Sequence, residues 1–181
     1  ESYLSRDYTS GRITTMDNFD QAYGRFEARI KLPVGQGIWP AFWLLGNNFQ
    51  DVGWPSCGEV DILEYRGQEP DILLAALHGP GYSGGSAISR RLDLDGLELY
   101  RDFHIFGIDW EPNRISWMLD GETYHTVTPR DLPTGTEWIF DHPFFIILNV
   151  AVGGNFVGPP DETTEFPQTM LIDWVRVYSL E

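Results

Sequence analysis

Tyr23-Gly-Arg-Phe-Glu-Ala-Arg-Ile-Lys-Leu32 alternates without a break: Phe26, Ala28, Ile30 and Leu32 are apolar, and Arg25, Glu27, Arg29 and Lys31 between them are charged. A period of two puts the first set on one face of a β-strand and the second on the other. One face is buried and the other is wet. Residues 113–127 extend the reading. Ile115, Trp117 and Leu119 alternate, Asp120-Gly121 supplies the positive φ of a type I′ turn, and Tyr124 and Thr126 lead back, so a hairpin is predicted. Further strands are predicted over 11–17, 38–45, 58–65, 72–78, 103–110, 143–152 and 169–178. No window of helical length keeps a 3.6-residue apolar period, and only 95–102 offers a turn of helix. The fold is therefore expected to be all-β. Nine or ten strands in one open sheet would leave an apolar face in water, so two antiparallel sheets must pack as a β-sandwich of the jelly-roll type.

The composition agrees. The chain has 181 residues, enough for one domain with a sizeable core, and its 19 Gly and 12 Pro beside 14% aromatic residues suit short strands and tight turns. Its 12 basic and 27 acidic residues leave a formal net charge of -15. Nucleic acid or an anionic membrane would meet repulsion, so no nucleic-acid or membrane partner is expected. Cys57 is the only cysteine, which excludes an internal disulfide and a cysteine metal cluster. The apolar run at 144–154 is interrupted by Asn149 and falls short of the ~20 residues of a spanning helix. Glu1 opens the chain without an initiator Met or a targeting pattern, so a removed signal or an excerpted chain is expected.

Cys57-Gly-Glu-Val-Asp-Ile-Leu-Glu-Tyr65 sets Glu59, Asp61 and Glu64 inside an otherwise apolar strand. On a regular strand Glu59 and Asp61 share a face and Glu64 points away. A β-bulge at Ile62-Leu63 restores the phase and brings all three carboxyls to one side. Like charges crowded together destabilise a fold, because each raises the cost of ionising the next. Retaining glycosidases exploit that crowding, with one carboxylate as nucleophile and one protonated carboxyl as acid about 5 to 5.5 Å apart. A solvated strand face or a calcium site would show the same three letters. Aromatic residues nearby favour the catalytic reading. Trp39 and Trp43 are four apart on one strand, Trp54 lies just before the acids, and flat indoles bind the apolar faces of pyranose rings. The competing role for each Trp is the core.

Eight segments, GRITT, YGRFEARIKLP, GQGIWPAFWLLG, GWPSCGEVDILEY, LHGPGYSGG, FHIFGIDWEPNRISWMLDG, FDHPFFIILNVAVGGNFVGPP and IDWVRVY, together resemble glycoside hydrolase family 16, laminarinase branch. The resemblance covers nearly the whole chain and is most specific at GEVDILEY. It implies a concanavalin-like sandwich with a concave substrate groove, formed by residues 1–181 as a single catalytic domain. In that family the six-position acid motif marks endo-β-1,3-glucanases with a bulged strand, and a five-position form marks lichenase-type enzymes. The resemblance makes Glu59 the nucleophile, Asp61 its assisting acid and Glu64 the general acid/base. It places Trp39, Trp43, Asn47, Trp54, His78 and Asn155 at the substrate, and Asp173 at a structural calcium on the convex face.

The implied activity is endo-acting, retaining hydrolysis of internal β-1,3 bonds in a laminarin-type glucan, by a secreted monomer that needs no cofactor for catalysis. Mixed-linkage glucan, a galactan or a xyloglucan are the alternative polymers, and a non-catalytic glucan-binding module is the alternative class. Family members carry fifty or more residues before YTSGRI, whereas seven precede Tyr8 here. Early strands of the family are therefore expected to be lacking, with apolar edges exposed in their place.

Overall fold

The alternation at 23–32 becomes strand β3 (Gly24–Lys31), with Phe26, Ala28 and Ile30 completely buried. In the computed structural model, which describes residues 7–180, twelve strands form two antiparallel sheets; Glu1 to Arg6 and Glu181 lie outside the described residues. β3 sits in a five-stranded sheet with β8 (His104–Glu111), β9 (Arg114–Leu119), β10 (Glu122–Val127) and β12 (Leu171–Tyr178), in the order β10-β9-β8-β3-β12. The hairpin forms as expected: Asp120 and Gly121 take φ of 50° and 86°, and Leu119 faces Glu122.

The second sheet has seven strands. β1 (Arg12–Thr14), β11 (Phe144–Val152), β4 (Ile38–Gly46), β5 (Glu59–Glu64), β6 (Ile72–His78) and β7 (Ile88–Asp93) lie side by side in that order. The two-residue β2 (Asp20–Gln21) also pairs with β11. Between the sheets lies the core, where Phe26, Phe106, Trp110 and Trp117 meet Phe42, Leu44, Val60, Leu63 and Leu77. Two full apolar faces have left water, which is the dominant stabilising term of a sandwich.

Four features differ from the sequence reading. The turn of helix expected at 95–102 is a chain of turns, because Asp95 and Gly96 take left-handed φ of 48° and 87° that a right-handed helix cannot contain. A single helical turn, α1 (Phe49–Val52), appears instead after β4. Strands β2 and β7 were not expected and bring the nine or ten strands to twelve: β2 has only two residues, and in β7 Ser89, Arg90 and Arg91 are all exposed, so the edge strand shows no alternation. The strands expected at 11–17 and 169–178 are trimmed to Arg12–Thr14 and Leu171–Tyr178.

Candidate active site

Strand β5 carries the three acids. Against β4, Asp61 pairs with Trp43 and Leu63 with Phe42, leaving Ile62 without a partner; against β6, the register also shifts between Asp61 and Glu64. Two residues therefore occupy one ladder position, and both Ile62 and Leu63 turn into the core. Glu64 regains the face of Glu59 and Asp61, with the bulge at the expected Ile62-Leu63. The indole of Trp117, from the opposite sheet, donates to the Asp61 carbonyl at 2.8 Å and so satisfies backbone at the irregular point. Gly58, just before the strand, takes a φ of 75°, and a Cβ there would meet the Phe144 ring at 2.7 Å. Glycine is thus required where the chain enters β5.

The strand register shows what else shares that face. Across the sheet, Asn149, Ala41, Glu64, Leu74 and Arg91 form one row; Ile147, Trp43, Asp61, Ala76 and Ser89 the next; Phe145, Leu45, Glu59 and His78 the third. The three acids thus lie along the strand, and the open space runs across it. A cavity of about 450 Å³ is lined by Glu59, Asp61, Glu64, Trp39, Trp43 and Asn149, with Arg12 at its end. A second hollow, floored by Leu45, Phe145 and Met16 and flanked by Phe49 and Trp54, continues past Glu59.

Burial sets the electrostatics. Loss of water is the first cause that pushes Glu59, Asp61 and Glu64 up to about 8, and for Glu59 and Glu64 the neighbouring Asp61 adds to it. The three carboxyls share protons as a group. Donors distinguish them. Glu59 Oε2 accepts from Trp54 Nε1 at 3.0 Å, and His78 Nε2 stands 3.6 Å from its Oε1. Glu64 is favoured in its charged form by His78, by the Trp39 indole and by Arg66, yet Trp39 Nε1 stops short of an aligned hydrogen bond. Glu59 is therefore the better supported carboxylate, and Glu64 the better place for the retained proton.

His78 faces the acids in a fixed tautomer. Its Nδ1 accepts from the Gly84 backbone N–H at 3.0 Å, so Nε2 carries the hydrogen and lies 2.9 Å from Asp61 Oδ2. Donor atoms of Glu59, Asp61 and His78 come within 4.8 Å of one another. The histidine, however, turns an N–H to them rather than a lone pair. The trio is a cluster of two acids facing an imidazole N–H, with Asp61 Oδ2 left without an aligned donor.

A family model, "Glycosyl hydrolases family 16", matches residues 2–176. The chain belongs to family 16. The laminarinase catalytic domain of Thermotoga maritima superposes with a TM-score of 0.91 at 51% identity, covering 94% of this chain and 69% of that one. A glucan endo-1,3-beta-glucosidase of Cryptopygus antarcticus is 44% identical over 84% of this chain and 58% of its own length. A beta-glucanase of Rhodothermus marinus is 37% identical over 98% of this chain and 65% of its own length. The chain thus spans about six-tenths of these two curated relatives.

In this family 16 chain the remaining sequence expectations fall at different distances from the acids. Trp39 and Trp43 line the cavity, with Trp43 Nε1 donating to Asn149 Oδ1 at 2.8 Å and the Arg12 guanidinium 4.9 Å over its ring. Trp54 is exposed beside the second hollow. Asn47 lies beyond the end of β4, where its amide donates to Asp20 at 3.0 Å and ties down β2; it does not line the cavity. Asn155 is an exposed residue of the loop after β11, also outside the cavity lining. Asp173 pairs with Arg29 at 2.8 Å. A calcium ion wants six to eight oxygens, and the one cluster of three potential ligand side chains among the described residues, Glu59, Asp61 and His78, does not include Asp173.

Arg12 and Asn149 of the cavity lining, from β1 and β11, escaped the sequence reading, as did Phe156, whose ring packs on Trp39 from the loop after β11. Asn149 carried a signal, as the polar break in an apolar run; Arg12 and Phe156 carried none.

Proposed function

We propose that the chain is the catalytic unit of an endo-acting, retaining β-glucanase that cuts internal β-1,3 bonds of a laminarin-type glucan. The observation that carries the reading is the bulged β5, which turns Glu59 and Glu64 to one face with unequal hydrogen-bond support. The glucan lies across the strands, along the rows that link Asn149 to Arg91. Glu64 protonates the leaving oxygen while the Glu59 carboxylate attacks the anomeric carbon, giving a glycosyl enzyme. Glu64, now a base, takes a proton from water, and the resulting attack frees Glu59 and returns Glu64 to its protonated form. Asp61, on the same face of β5 as Glu59 and with His78 Nε2 2.9 Å from its Oδ2, keeps Glu59 oriented between the steps. Trp39 and Trp43 bind sugar faces while Asn149 and Arg12 take hydroxyls.

The scheme uses carboxyl chemistry alone, and a single chain supplies all of its groups, so one copy is the catalytic unit. A polymer of this kind is met outside the cell, which is the reason to expect secretion. Glu59→Gln is expected to lower laminarin turnover by at least ~10³-fold while laminari-oligosaccharides still bind. Reducing-end assays and calorimetry read the two quantities. Substantial hydrolysis by the pure variant removes Glu59 from the nucleophile role, and an inactive wild type that binds glucan makes the chain a binding module. Parallel assays on lichenan, agarose and xyloglucan give the linkage preference.

A further inference from the structure

Trp39 lines the cavity and packs against a stack whose members, Phe156 and Arg66, do not. Phe156 packs on the indole with ring centroids 4.6 Å apart, and the Arg66 guanidinium lies 4.2 Å over the Phe156 ring. Arg66 Nη1 is 3.3 Å from Glu69 Oε1, and Glu69 Oε2 is 3.4 Å from Arg91 on β7. The loop that bears Phe156 is pinned, because the Val157 carbonyl accepts from Gln36 at 2.9 Å and from Gln68 at 2.8 Å. Two donors in this wall, Trp39 Nε1 and Arg66 Nε, are buried without an aligned partner. Orphaned donors are rare and call for a reason. Glu64 stands two residues before Arg66 on the chain and lines the same cavity as Trp39, and both residues favour its charged form.

We propose that Arg66 is a positioning residue for Glu64: clamped over Phe156, it presses the Trp39 indole toward the acid/base carboxyl and sets a positive charge behind it. The inference rests on Glu64 acting as acid/base. Asp61 and Glu59 on β5 oppose the charged form of Glu64, His78 on β6 and Arg66 favour it, and Arg12 from β1 lines the same cavity. A carboxyl this buried holds its proton tightly. The wall of Arg66, Phe156 and Trp39 returns part of that affinity, so that Glu64 can give the proton to the leaving oxygen and still act as a base on water.

Arg66→Gln, Arg66→Lys and Phe156→Leu test it. Removing the charge raises the proton affinity of Glu64, so Arg66→Gln is expected to move the alkaline limb of kcat/KM on laminarin upward by roughly 0.3–0.5 pH unit. Its kcat should fall with KM little changed. Phe156→Leu keeps the charge and loosens the clamp, giving a smaller shift in the same direction, and Arg66→Lys restores most of the limb. A ¹³C NMR titration of the Glu64 carboxyl reads the same shift without turnover. An inactive wild type would therefore strike the glucanase reading and leave this inference testable. Unmoved midpoints in folded Arg66→Gln and Phe156→Leu, whatever their melting temperatures, would make the stack merely structural and overturn the proposal.

Discussion

Glu59, Asp61 and Glu64 are each pushed up to about 8 by burial, and that has a sign for stability. In the unfolded chain a Glu titrates near ~4.3. The folded state therefore binds more protons, and the stabilisation is complete below about 4 and is lost as pH rises through 8. Glu64→Gln, which cannot ionise, is expected to melt a few degrees above wild type at pH 9 and close to it at pH 4. Calorimetry at the two pH values checks this, and a variant that melts lower at pH 9 would show that Glu64 is not a strained carboxyl. The three acids were legible because charge inside an apolar strand is costly and therefore conspicuous. Arg12 was not, since it joins the site through the pairing of β1 with β11 and nothing local to it foretells that partner, and Asn149 showed only as a polar break in an apolar run.

At the scale of the element, the bulge in β5 decides the geometry. With both Ile62 and Leu63 turned inward, deleting Ile62 restores plain alternation and leaves Glu64 facing the trough. That deletion is expected to keep measurable hydrolysis while losing about 2–4 kcal/mol of stability from one buried side chain. A folded but wholly inactive deletion would contradict the assigned phase. Trp117→Phe, which removes the donor to the Asp61 carbonyl, should cost about 1–3 kcal/mol in urea unfolding by orphaning a buried acceptor. The bulge could be read from sequence because two outward acids and one out-of-phase acid admit only that repair. β7 could not, because Ile88 and Leu92 are only half buried and the residues between them are exposed.

At the scale of the whole molecule, the described residues leave apolar side chains in water along the edge strands β1 and β12. Ile13 on β1 and Leu171, Val175 and Tyr178 on β12 are exposed, and Ile13 and Val175 meet in one hollow at the edges of the two sheets. Apolar, unpaired edges invite pairing with another copy. Sedimentation at rising concentration is expected to show self-association that Val175→Lys suppresses without loss of turnover, and a wild type that stays monomeric into the high micromolar range would contradict it. The sandwich was legible in the alternation at 23–32 and the turn at Asp120-Gly121, while the order of strands, set by contacts across the whole chain, was not. That order lays the cavity across β5, with Glu59 and Glu64 both in its lining. Proton NMR of the first product formed from laminarin tests the arrangement most directly: the account predicts that the β-anomer appears first and mutarotates to α, and an α-anomer released first would contradict it.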